Sequence, residues 1–118
     1  KMKKVILIVS FLFIGLTGFA QNKNAKATIE VDGVCGMCKE RIEKASIQAK
    51  GVKSAIWNVH THELNLIYNA KKTNLTKIQQ SIADSGHDTK AIKAKDEVYD
   101  KIDPCCKYRD PKVVADHH

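Results

Sequence analysis

The sequence predicts an α+β domain in which four antiparallel strands form one sheet and two helices cover one of its faces. Three observations predict it. Two stretches carry apolar residues at helical spacing and each ends in glycine. The runs before, between and after them alternate apolar with polar residues. The two middle runs are joined by a link short enough to require a hairpin.

The first strand is A-T-I-E-V-D from Ala27, with Ile29 and Val31 on one face. From Cys38 the spacing changes: Ile42, Ala45 and Ala49 recur at three and four residues, and Gly51 sits where a helix stop is expected. Residues 52–59 give a second strand with Ala55, Trp57 and Val59 on one side. After H-T-H, Leu64, Leu66 and Tyr68 alternate as the third. A second helix starts at Thr73 or Asn74, both good N-caps, carries Leu75, Ile78 and Ile82, and ends at Ser85-Gly86. Residues 87–94 make a fourth, weaker strand. The order β-α-β-β-α-β is the split βαβ, or ferredoxin-like, arrangement.

The flanks differ from this body. Residues 1–20 read as a signal peptide: Lys1, Lys3 and Lys4 precede an uncharged apolar run from Val5 to Ala20 that closes on small residues at Gly18 and Ala20. The apolar run is shorter than the roughly 20 residues that span a bilayer. Export across the inner membrane, to a periplasmic destination, is therefore expected. Residues 21–26 are a polar linker, residues 27–94 the domain, and residues 95–118 a C-terminal tail. In that tail D-E-V-Y-D-K-I-D forms a short helix before Pro104 and the adjacent pair Cys105-Cys106.

Charge excludes one class of partner. The chain carries a formal +7, and loss of the three leader lysines with no acids leaves +4 on residues 21–118. The remaining charges are scattered, without an arginine-rich stripe or interleaved aromatics, so nucleic-acid binding has no support.

The chemistry-bearing motif is V-C-G-M-C-K, with Cys35 and Cys38 two residues apart at a strand-to-helix junction. Unsatisfied backbone N–H groups and the positive end of the helix dipole favour thiolates there, and Lys39 adds positive charge. Both sulfurs are thereby expected to lean toward the metal-binding form. Two thiolates from one loop suit a soft, low-coordinate ion such as Cu(I), and for the same reason Hg(II). Zn(II) is the less suited alternative, since a structural zinc site takes four ligands. An ion held by two ligands near the surface can leave by ligand exchange, which suits carriage. Export leaves another reading open, because four cysteines outside the cytosol can pair as disulfides in three ways.

Residues 27–94 resemble the heavy-metal-associated domain family, which includes copper chaperones, copper-ATPase N-terminal modules and the periplasmic mercuric-ion-binding protein. The resemblance rests on C-G-M-C at the first strand-to-helix junction together with the β-α-β-β-α-β pattern. It implies a metal-carrying function without catalysis, with Cys35 and Cys38 as the ligands. The expected partner is a metal-transporting membrane protein or another metal-receiving protein, and the mature chain is expected to be a soluble monomer. Family members usually carry a methionine two residues before the first cysteine, where this chain has Gly33; Met37 lies between the cysteines instead.

The predicted topology brings further candidates to the cysteine end of the sheet. His87 in S-G-H-D is one: a third ligand, a hydrogen-bond donor to a thiolate, or a solvated loop histidine. His60 and His62, in the hairpin one strand further out, are expected to face solvent. Met37 offers a thioether ligand or a surface contact for a partner. Cys105 and Cys106 offer an auxiliary capture site or a lid bringing extra sulfur; the alternative is a disulfide. The ten residues 95–104 reach at most about 35 Å extended and about 15 Å as a helix, so contact with the site is allowed but not required.

The rival from another class is an exported thiol–disulfide oxidoreductase, which also uses C-x-x-C. Its thioredoxin-like form needs a proline against the cysteine pair, and the two prolines here, Pro104 and Pro111, both lie in the tail. Haem attachment requires C-x-x-C-H, and Lys39 follows Cys38.

Overall fold

A computed structural model describes residues 22–117, so the expected signal peptide lies outside the described residues. Among them no helix is long and apolar enough to cross a membrane. The elements are β1 (Ala25–Glu30), α1 (Gly36–Gln48), β2 (Val52–Trp57), β3 (Glu63–Tyr68), α2 (Leu75–Asp84), α3 (Asp96–Tyr99), a 3₁₀ turn (Pro104–Cys106) and α4 (Pro111–Asp116).

The sheet runs β1-β3-β2, both pairings antiparallel. Its register sets Ile29 opposite Leu64 and Trp57 opposite Leu64 on β3's other side. Alternation thus delivers one apolar face, and both helices bury their own stripe on it: Ile42, Ile78, Ile82, Leu64 and Leu66 are all at most 2% exposed. Ser81 Oγ ties the helices together by donating to the Ala45 carbonyl at 2.6 Å. Asn74 caps α2, its side chain accepting from the Lys77 N–H at 2.9 Å.

The fourth strand is shorter than the alternation predicts. Residues 87–90 do lie along the free edge of β1, where this topology puts a fourth strand, but the pairing amounts to one bridge, Val31 with Thr89. Asp32 N–H donates to the Asp88 carbonyl at 2.9 Å beside it. Thr89 then turns the chain: its N–H donates to the Ile92 carbonyl at 2.8 Å and its hydroxyl accepts from the Ile92 N–H at 2.9 Å. A side chain that bonds its own neighbourhood competes with a ladder, and here it wins.

The segment after Ala94 does not trail away. Tyr99, Ile102 and Cys106 are buried with the body's core. Ile102 fits because residue 86 is glycine, with φ of 108°: a Cβ there would stand 2.6 Å from the Ile102 methyl. Tyr108 donates its hydroxyl to the Gly86 carbonyl at 2.7 Å and accepts from the Asp88 N–H at 2.8 Å. Arg109 forks onto both carboxylate oxygens of Asp88 and also donates to Asp96 and to the Ala94 carbonyl. Its guanidinium lies 4.3 Å from the centre of the Tyr99 ring.

Candidate metal centre

Cys35 is the N-cap of α1 in extended backbone, so its sulfur faces the first free N–H groups of the helix. Cys38 lies in the first turn and points inward, with no exposed surface. Their sulfurs are 3.3 Å apart. A third sulfur joins them from the other end of the chain: Cys106 Sγ also lies 3.3 Å from Cys35 Sγ, and Cys106 has no exposed surface either. Cys105 stands at the rim, its thiol donating to Met37 Sδ at 3.4 Å, and Met37 is half exposed. The sulfurs of Cys35, Cys105 and Cys106 all lie within 4.8 Å of one another. All four cysteines are thiols.

The helix start does not act on the two loop cysteines alike, contrary to the expectation that both would lean toward thiolate. Burial tends to raise the Cys35 pKa, but the Cys38 and Met37 N–H groups and the neighbouring thiols of Cys106 and Cys38 outweigh it and bring the value to about 7. Burial dominates at Cys38 and raises its pKa. It raises Cys106 too, where Cys38 and Cys35 help hold the proton. The cluster therefore has one partly accessible thiol that ionises readily, Cys35, backed by two buried thiols that resist ionisation.

Gly33, where the family usually has methionine, has a local reason. A Cβ at this position would sit 3.0 Å from the Trp57 ring and 3.1 Å from Cys38 Cβ. Trp57 occupies the space beneath the loop and donates its Nε1–H to the Val31 carbonyl at 3.0 Å. The aromatic ring props the cysteine loop from below.

His87 is fully buried, and both ring nitrogens are engaged away from the sulfurs. Nδ1–H donates to the Asp32 carbonyl at 2.8 Å, and Nε2 faces Arg41 Nη1 at 3.4 Å. Burial, reinforced by the Arg41 charge, lowers its pKa to about 4, so the ring is neutral near pH 7. It stacks on Tyr108 with ring centres 5.2 Å apart. His87 thus supports the site through Arg41, which pairs with Asp103 at 2.7 Å and interacts electrostatically with the Cys106 thiol. His60 is exposed, as expected. His62 is half buried instead, stacked on Trp57 at 5.6 Å. Lys39 is turned back onto Glu43 and the Trp57 carbonyl.

Sequence reasoning missed Arg41 and Asp103 as site-supporting residues and did not require the tail to dock. The one available signal was P-C-C itself, a buried-type residue pair in an otherwise polar segment.

The heavy-metal-associated domain profile matches residues 28–88, just over half of the chain, and Cys105 and Cys106 lie beyond it. A search of curated proteins returns no match. Among solved structures, the CopZ metallochaperone is similar at 29% identity and a TM-score of 0.53, the match covering 55% of this chain and 98% of that one. The N-terminal domain of a potential copper-translocating P-type ATPase from Bacillus subtilis, in its Cu(I)-loaded state, is similar at 26% identity and a TM-score of 0.54, covering 64% and 95%. With the family profile spanning the sheet, both helices and the cysteine loop, this chain belongs to the heavy-metal-associated domain family.

Proposed function

We propose that the protein is an exported, non-catalytic carrier of a soft metal ion, Cu(I) before Hg(II) or Zn(II), which it holds through Cys35 and Cys38 and passes to a metal-transporting partner. The observation that carries this reading is the asymmetric sulfur pair: 3.3 Å apart, Cys38 buried, Cys35 partly accessible with its pKa brought to about 7. A soft d¹⁰ ion favours thiolates over harder ligands. Cys38 fixes the ion to the helix, and Cys35 is where an incoming thiolate can displace the protein.

Similarity to the CopZ metallochaperone supports a carrier, and similarity to the Cu(I)-loaded domain of a potential copper-translocating ATPase supports copper as the cargo and a transporter as the recipient. Export to the periplasm rests on the leader-like pattern of residues 1–20. The experiment is a Cu(I) titration of the fully reduced chain from residue 21 against a competing chelator, beside Cys35→Ser/Cys38→Ser, with Hg(II) and Zn(II) in parallel. One tight Cu(I) equivalent, lost in the double variant, is the expected result. Equal binding by the double variant would overturn the reading, and tighter Zn(II) than Cu(I) would overturn the choice of cargo.

A further inference from the structure

We propose that Cys106 supplies a third thiolate to the ion held by Cys35 and Cys38, on a C-terminal segment that acts as a removable lid over the site. This rests on the carrier reading above and deepens it. Cys106 belongs to a part of the chain that the family profile does not reach, yet its sulfur is as near to Cys35 as Cys38 is, at 3.3 Å in each case. It is delivered there by structure rather than by proximity in sequence, since 71 positions separate it from Cys35.

Geometry favours three sulfurs over two. With metal–sulfur bonds of about 2.3 Å, a linear two-thiolate ion needs its sulfurs about 4.6 Å apart, whereas a trigonal three-thiolate ion needs about 4.0 Å. Starting from 3.3 Å, the gaps from Cys35 to Cys38 and from Cys35 to Cys106 would each open by about half as much for the trigonal site as for the linear one. The surroundings supply the compensating charge, because Arg41 is held by Asp103 close enough to Cys106 for the two to interact electrostatically. Cys105 is placed differently: its thiol faces Met37 at the rim, so it marks the solvent side of the cluster.

The lid is anchored by three buried side chains, Tyr99, Ile102 and Cys106, and by polar contacts: Arg41 with Asp103, Arg109 with Asp88, and the Tyr108 hydroxyl with Gly86. Docked, the segment gives the ion three thiolates and covers it. Undocked, it leaves a two-thiolate ion whose Cys35 side is open to a partner's thiols. Retention and release then depend on the same short segment.

The test is X-ray absorption at the copper edge, with chelator-competition affinity, on the reduced chain from residue 21 loaded with one equivalent of Cu(I). Wild type and Cys105→Ser are expected to show three sulfurs; Cys106→Ser and Cys106→Ala are expected to show two. A lost ligand should weaken binding at least as much as a lost outer-shell partner does, about 10- to 100-fold. Two sulfurs in wild type, with unchanged affinity in both Cys106 variants, would overturn the lid and leave the two-cysteine carrier standing. Three sulfurs retained in a folded Cys106→Ala, or lost only in Cys105→Ser, would also overturn the assignment to Cys106. No Cu(I) binding by wild type would overturn the carrier reading and the lid together.

Discussion

The body of the molecule, residues 25–86, and the C-terminal segment, residues 95–117, reach the same sulfur cluster but are held in shape by different forces. In the body, regular alternation and helical spacing bury Trp57, Ile42, Leu64, Leu66, Ile78 and Ile82 on one shared face. In the segment, three buried side chains, Tyr99, Ile102 and Cys106, are supplemented by a ring of specific polar contacts from Arg109, Tyr108 and Asp103. Apolar burial is cooperative and hard to undo in part, whereas a short segment with few buried side chains can open locally. The difference assigns permanence to Cys35 and Cys38 and reversibility to Cys106.

The largest expected effect comes from breaking the body. Trp57→Ala removes a side chain that is 1% exposed and props the cysteine loop, so it should cost about 3–5 kcal/mol. Urea unfolding followed at the body's helices should move to lower denaturant; an unmoved transition would contradict this.

Acid should act next, at the seam between the two regions. His87 has a folded pKa of about 4 against an ordinary 6.5, so between these values the unfolded chain binds the proton more readily. Its contribution is complete above about pH 6.5 and is lost as pH falls toward 4, amounting to about 3 kcal/mol. Asp88 acts in the same direction further down: burial raises its pKa, but Arg109 more than offsets this and lowers it. Unfolding free energy measured from pH 7 to 4 should therefore fall, and His87→Gln should remove most of the slope above pH 4. An equal slope in the variant would place the titration elsewhere.

The smallest effect should be the most selective. Arg109→Ala deletes the fork onto Asp88 and the contact over Tyr99, worth about 2 kcal/mol for hydrogen bonds to a charged group. Hydrogen exchange should speed up across residues 96–109 and stay unchanged in α2. Uniform loss of protection would mean that the segment is part of the body's cooperative core.

The contrast also explains what could be read in the sequence. Ile29, Leu64, Leu66, Ile42, Ile78 and Ile82 announce their faces by period, and Asn74 and Gly86 announce helix ends, so strands, helices and their order were legible. The cysteine loop was legible from spacing. The shortening of the fourth strand was not, because it depends on the Thr89 hydroxyl choosing Ile92 over a ladder partner. Docking of the tail was not legible either: Arg109 finds Asp88 and Cys106 finds Cys35 through contacts that have no period. His87 illustrates the limit on a single residue, since its position in the chain suggested a metal-site role but only the fold reveals that Asp32 and Arg41 occupy its nitrogens.

The claim that both regions share one ion is tested most directly by amide NMR of the reduced, ¹⁵N-labelled chain from residue 21, with and without one equivalent of Cu(I). Shared ligation predicts that residues 33–39 and residues 103–108 shift together, in the same stoichiometric step. Shifts confined to residues 33–39, with the C-terminal segment unmoved at full loading, would contradict it.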